Sequence, residues 1–145
     1  MQIEKRFLSD YKEVYENPIV DSNPLIYEIM NIFPEHDNGE LFYGLTTIYP
    51  GDINGEYYMT KGHRHNKDTA ELYYGIEGSG IVVQEKENDC IISDITPGVM
   101  IYCQKGYAHR LINNSNEILK VICAARADSG HDYNVNFISR FKKGV

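Results

Sequence analysis

The segment Gly62-His63-Arg64-His65-Asn66-Lys67-Asp68-Thr69-Ala70-Glu71 puts two imidazoles one residue apart, with a carboxylate shortly after them. Alternate residues of a strand face the same side, so His63 and His65 can present both rings to one interior point. Glu71 cannot reach that point along the same strand. A loop over 67–69 lets it open the next strand and return to the same interior. A third imidazole, His109, follows Lys105-Gly106-Tyr107-Ala108, where a glycine turn feeds a new strand. Three neutral imidazoles and one carboxylate suit Fe, Mn, Ni, Co or Zn better than Mg or Ca, which prefer oxygen shells. Four such ligands on an octahedral ion leave two positions open for a reactant. An isolated His-x-His pair is more often a surface or hydrogen-bonded pair. The metal reading therefore rests on its joint occurrence with Glu71, Gly78 and the stretch from Gly98 through Gly106 and His109 to Asn113.

The elements that position these residues read as strands. Twelve tyrosines, with Val, Ile and Thr around them, favour a pleated, half-buried surface. Short strand-like runs cover 25–33, 41–49, 56–60, 71–76, 80–85, 90–95, 99–103, 109–113 and 119–124. Turn signals separate nearly all of them, among them Asp37-Asn38-Gly39, Pro50-Gly51-Asp52, Thr96-Pro97-Gly98 and Asn114-Ser115-Asn116. One helix is expected near the N-terminus. Phe7, Leu8, Tyr11, Val14 and Tyr15 form an apolar stripe that ends before Asn17-Pro18, with Asp10 and Glu13 as a capping pair. Many short strands and little helix predict a β-sandwich or barrel.

A length of 145 residues is about one domain's worth, so one domain over 1–145 is expected. A net charge of −7 disfavours nucleic acid and anionic lipid as partners. No apolar run approaches the roughly 20 residues of a membrane span, and the N-terminus shows no signal-peptide pattern. Cys90, Cys103 and Cys123 lack disulfide or zinc-ribbon spacing, which with the charge predicts a cytoplasmic protein.

The two His-bearing blocks resemble the metal motifs of the cupin superfamily, small β-barrels of jelly-roll type that hold a metal inside. One departure is Gln104, where cupins usually carry proline. Tyr49-Pro50-Gly51, the run from Gly55 to His65, Thr69 to Tyr73, Ala108-His109-Arg110 and Gly130-His131-Asp132-Tyr133 together resemble the cupin-type, archaeal-type glucose-6-phosphate isomerases. This resemblance implies a homodimer, for which Ile26, Ile29 and Ile32 are the candidate intersubunit residues. It implies that His63, His65, Glu71 and His109 hold one divalent metal, and that glucose 6-phosphate and fructose 6-phosphate are the substrates. It places Thr46, Thr60, Gly62, Tyr73, His131 and Tyr133 in or near the sugar-phosphate pocket. The family often has Tyr-Pro where Ala125-Arg126 stand here.

Glu71 and His131 are the candidates to carry a proton between C1 and C2, and a metal-assisted hydride shift would need neither. The same ligand set also serves cupin dioxygenases, and a non-catalytic cupin that binds sugar phosphate is the remaining alternative. Plainer readings exist for several residues. Thr46 and Thr60 are at home in strands, Gly130 to Tyr133 can be a turn capped by Asp132, and Arg110 reads as a surface ion pair. Cys103 and Cys123 read as small core residues.

Overall fold

The computed structural model describes residues 1–32 and 39–144. Its elements in chain order are β1 (Gln2–Phe7), α1 (Leu8–Tyr11), β2 (Leu25–Ile32), β3 (Leu41–Ile48), β4 (Asp52–Ile53) and β5 (Glu56–Tyr57). There follow β6 (Glu71–Glu77), β7 (Gly80–Lys86), β8 (Asp89–Ile95), β9 (Met100–Cys103), β10 (Ala108–Ile112) and β11 (Leu119–Arg126). The all-β expectation holds. A six-stranded antiparallel sheet runs β1-β2-β3-β11-β6-β9, a three-stranded sheet runs β10-β7-β8, and β4 pairs with β5. No helix among the described residues is long and apolar enough to cross a membrane.

Strand periodicity decides what is buried. In β11, Leu119, Val121, Cys123 and Ala125 are buried, while Ile122 and Arg126 are exposed. Every residue of β10, and every residue of β7 but the last, is buried, as expected for strands covered on both faces. The core gathers Ile26, Ile48, Val82, Val83, Ile95, Leu111, Ile112, Leu119 and Val121, each fully or almost fully buried. Such a side chain contributes about 1.5–3 kcal/mol by leaving water. Asn113, from the second motif, acts as a staple: its side-chain NH2 donates to the carbonyls of Ile48 (3.0 Å) and Glu117 (2.8 Å). Cys103 and Cys123 are core residues as expected, whereas Cys90 is exposed.

The N-terminus departs from the sequence reading. The expected short helix is present as the single turn α1 followed by a 3-10 turn, Lys12–Val14, but a strand that was not expected, β1, runs into it. Tyr11 donates its hydroxyl hydrogen to the Met59 carbonyl (2.8 Å), and the Tyr15 hydroxyl accepts the Met59 N–H (3.3 Å). The apolar stripe thus marks residues fastened to the chain around Met59 rather than a continuous helix. Asp10 still caps, accepting the Phe7 N–H at 2.7 Å, while Glu13 falls in the 3-10 turn.

Other differences are local. The strand expected over 56–60 shrinks to β5 and an isolated bridge between Met59 and Ile112. The turn expected at Asp37-Asn38-Gly39 lies largely outside the described residues, as does Phe33 at the end of the run 25–33. Gln104, where cupins usually carry proline, donates its N–H to Gln84 Oε1 at 2.8 Å. Proline has no such hydrogen. The motif glycine Gly78 has φ +73°, and a Cβ there would lie 2.1 Å from the Ile118 carbonyl oxygen, so no other residue fits.

The outer face of the larger sheet is apolar. Cross-strand pairing lines up Met30, Leu45, Ile122, Tyr74 and Met100 in one row, with Ile32, Tyr43, Ala124, Leu72 and Tyr102 in the next. Seven of these ten are exposed: Met30, Ile32, Tyr43, Leu72, Met100, Tyr102 and Ile122. Ile26, expected at a subunit surface, is instead in the core, and Ile29 lines an internal cavity. Ile29 lies on the opposite face of β2 from Met30 and Ile32, and of the three expected subunit residues only Ile32 is exposed in the apolar rows.

Candidate functional site

β10 carries His109, and β6 opens at Glu71 after the loop that follows His65. The segment between Thr60 and His65 is held by β10 without being a regular strand. Thr60 donates its N–H to the Leu111 carbonyl at 2.9 Å, and His63 and His109 exchange backbone hydrogen bonds of 3.2 and 2.9 Å. Their ring centroids lie 4.5 Å apart, and that of His65 is 5.2 Å from each. Glu71 Oε1 lies 3.5 Å from His63 Nε2, 3.1 Å from His65 Nε2 and 3.4 Å from His109 Nε2. One ligand atom from each of the four residues falls within 4.8 Å of all the others.

The chemistry of this cluster fits a divalent metal. Buried polar atoms normally find partners. Here His63 Nε2 and both ring nitrogens of His65 are buried without a hydrogen-bond partner. His109 donates from Nδ1 to the Tyr107 carbonyl at 3.1 Å, which leaves the lone pair on Nε2, facing the cluster. Burial pushes His63 down to about 4, against the opposing pull of Glu71, so its imidazole is neutral and ready to ligate. Burial by itself would raise the Glu71 carboxyl, yet the three imidazoles hold it well below the usual carboxylate range.

A cavity of about 150 Å³ opens beside the cluster. Its walls include all six residues expected in the pocket: Thr46, Thr60, Gly62, Tyr73, His131 and Tyr133. Gly62 has φ +82°, and a Cβ there would lie 2.6 Å from the Phe137 ring. Thr60 Oγ1 accepts the Leu111 N–H at 3.0 Å, leaving its own hydrogen free to donate. Burial, then the Glu71 charge, raise the Tyr73 hydroxyl far above its ordinary range, so it stays a neutral donor. His131 arrives through a bridge in which Arg64 and Asp132 exchange backbone hydrogen bonds of 2.9 and 2.7 Å. Its ring centroid is 4.4 Å from that of His63, and it stacks on Tyr133 at 5.8 Å. The tetrad from Gly130 is therefore a paired segment, although Asp132 also caps it by accepting the Asn134 N–H at 2.9 Å.

The sequence reading missed some of the wall. Arg6 and Glu4 of β1, linked by a 2.9 Å ion pair, line this cavity, and so does Lys61. Simple alternation would turn Lys61 away from its neighbours, but the left-handed backbone at Gly62 breaks alternation there. On the far side of His131 a second cavity, about 300 Å³, is lined by His65, Ala125, Arg126 and Ser129 among others. Ala125 pairs with Glu71 across β11 and β6, so the departure from the family's Tyr-Pro falls beside the cluster.

A profile of the family described as Glucose-6-phosphate isomerase (GPI) matches residues 5–144. The chain belongs to that family. It is similar to a glucose-6-phosphate isomerase of Thermococcus kodakarensis, 38% identical over 88% of this chain and 71% of that protein. It is also similar to one of Thermococcus litoralis, 34% identical over 97% of this chain and 78% of the relative. A structure of oxalate oxidase in complex with the substrate analogue glycolate superposes with a TM-score of 0.63, covering 74% of this chain and 55% of that one. At 11% identity that likeness shows the fold alone, and it agrees with the all-β cupin-type domain of the matched family. The activity of this family is the aldose–ketose isomerisation of glucose 6-phosphate and fructose 6-phosphate, and it is the activity of this chain.

Proposed function

We propose that the isomerisation runs in the cavity beside His63, His65, Glu71 and His109, which hold one divalent transition metal: Fe, Mn, Ni, Co or Zn. The observation that carries this reading is the convergence of four ligand atoms within 4.8 Å, those of His63 and His65 buried without partners, next to a hydroxyl-lined cavity. A bound metal supplies Lewis-acid polarisation of the sugar carbonyl. The protein's own residues do the rest. Thr46, Thr60, the Gly62 backbone and Tyr133 take the phosphate, with Arg6 and Lys61 supplying positive charge to the same cavity.

His131 is the better of the two candidate bases. Glu71 Oε1 already faces three imidazoles, whereas His131 lines the cavity and burial lowers its pKa from the ordinary value, keeping it neutral. In this scheme the proton taken from C2 of glucose 6-phosphate is returned to C1, and the O2 hydroxyl proton passes to O1. Tyr73 orients the Glu71 side from within the core.

The residues 1–145 act as one cupin domain, with the two sheets closing on each other as a barrel. Two copies pair through the outer face of the larger sheet, because the two apolar rows described above are too extensive for a free surface. A coupled assay of fructose 6-phosphate turnover, before and after chelation and then with Mn or Fe restored, tests the central claim. Undiminished turnover in metal-stripped protein would sink it.

A further inference from the structure

Arg110 follows the ligand His109 in β10, but its side chain belongs to a different place. It is only 4% exposed. Its Nη2 donates to the Lys61 carbonyl at 2.8 Å, and the guanidinium lies 3.9 Å from the centre of the Phe137 ring. Its Nε has no hydrogen-bond partner, and no carboxylate lies within ion-pair distance among the described residues. The nearest acids are engaged elsewhere. Glu56 accepts from Arg140 at 3.0 Å and from the Glu16 N–H at 2.9 Å; Glu85 accepts from the Ile138 N–H at 2.8 Å and from Ser139 Oγ at 2.5 Å. A buried cation with no counter-charge is costly, and an interior carboxylate or a bound anion is what normally offsets it.

The space beside Arg110 is built for the second of these. A cavity of about 320 Å³ is lined by Arg110, Lys61, Arg140, Glu13, Asn136 and Tyr133, among others. Three cations face one carboxylate there, in a chain whose net charge is −7. Arg140 uses Nη1 on the Val14 carbonyl and Glu56, and Lys61 lies 5.0 Å from the Tyr133 ring centre with no carboxylate partner among the described residues. Lys61 and Tyr133 also line the substrate cavity, so the two spaces share a wall.

We infer that this cleft is a second anion site, taking a phosphate or similar small oxyanion apart from the sugar phosphate undergoing reaction. Guanidinium groups bind tetrahedral oxyanions through paired N–H donors, and both Arg110 and Arg140 line this cleft with donors beyond the Nη2 and Nη1 already engaged. An anion here would draw Lys61 away from the substrate cavity and so tune substrate affinity from outside it.

Equilibrium dialysis of the metal-loaded protein against radiolabelled inorganic phosphate tests the site. Arg110→Met and Arg140→Gln should each bind one equivalent per chain fewer than the wild type, or hold it at least tenfold more weakly. Loss in these variants is separate from the isomerase reading, because any phosphate held by the substrate cavity remains in both. Should Arg110→Met fail to fold by circular dichroism, the half-exposed Arg140→Gln variant decides alone. No phosphate bound by the wild type, or the same number of equivalents with unchanged affinity in the folded variants, overturns the proposal.

Discussion

His63 and His109 are joined twice over: their backbones exchange both hydrogen bonds, and their rings sit 4.5 Å apart at the same cluster. A backbone pair at the ligands themselves means that the register of 63 against β10 fixes how two of the imidazoles meet. Side-chain freedom adds little, because His109 is further locked by its Nδ1 bond to the Tyr107 carbonyl.

Replacing one of these imidazoles should therefore empty the site without dismantling the fold. His109→Ala is expected to weaken metal binding by about 100-fold or more and to abolish turnover, with secondary structure retained. Elemental analysis of the purified variant beside its circular dichroism spectrum checks both halves.

His131 and Glu71 should separate in their effects. His131→Asn is expected to lower kcat by about 10²–10⁴ while metal content stays near that of the wild type. Turnover in D2O should place deuterium on the product carbon; product free of solvent deuterium, with kcat unchanged in His131→Asn, would instead favour a hydride shift. Glu71→Gln should lose metal as well as activity.

Thr60 accepts the Leu111 N–H of β10 and lines the cavity, so the proposed phosphate contact can be tested at it. Thr60→Val is expected to raise KM for fructose 6-phosphate roughly 10- to 150-fold, the loss of one hydrogen bond to a charged group at about 1.5–3 kcal/mol. Its metal content should not change. An unaltered KM in steady-state kinetics would remove Thr60 from the phosphate site.

Acid should destabilise the metal-stripped protein. His63 is pushed down to about 4 by burial, so between that value and an unfolded value near 6.5 the unfolded chain binds more protons. Stability is fully present above about pH 6.5 and falls as pH drops through that window. The depressed Glu71 carboxyl has the same sign, its contribution being lost as pH falls below the ordinary carboxylate range. Thermal melts in chelator should show a lower midpoint at about pH 5 than at about pH 7.5, and an invariant midpoint would contradict this.

The apolar outer face predicts its own disruption. Met100 and Tyr102 are 69% and 67% exposed on β9. If the proposed pairing is right, wild type sediments as a dimer at micromolar concentration and Met100→Glu combined with Tyr102→Lys as a monomer. A wild type that sediments only as monomer would refute the pairing.

How much of this was legible in the sequence follows from the range of the forces involved. His-x-His, the returning Glu71 and the glycine-fed His109 are local patterns, and strand alternation together with turn chemistry is enough to aim them. The strands themselves were readable for the same reason, since inside and outside alternate residue by residue in β3 and β11. The stripe from Phe7 to Tyr15 does contain the expected short helix, but its bounds and the 3-10 turn that continues it follow from burial against Met59, a contact across the chain. His131 reached the cluster only through the Arg64–Asp132 bridge, Arg6 lined the cavity only because β1 pairs with β2, and Arg110 lost its expected ion pair inside the fold. Each of these depends on register between segments far apart in sequence, which backbone hydrogen bonding and core packing select together and no local spacing encodes.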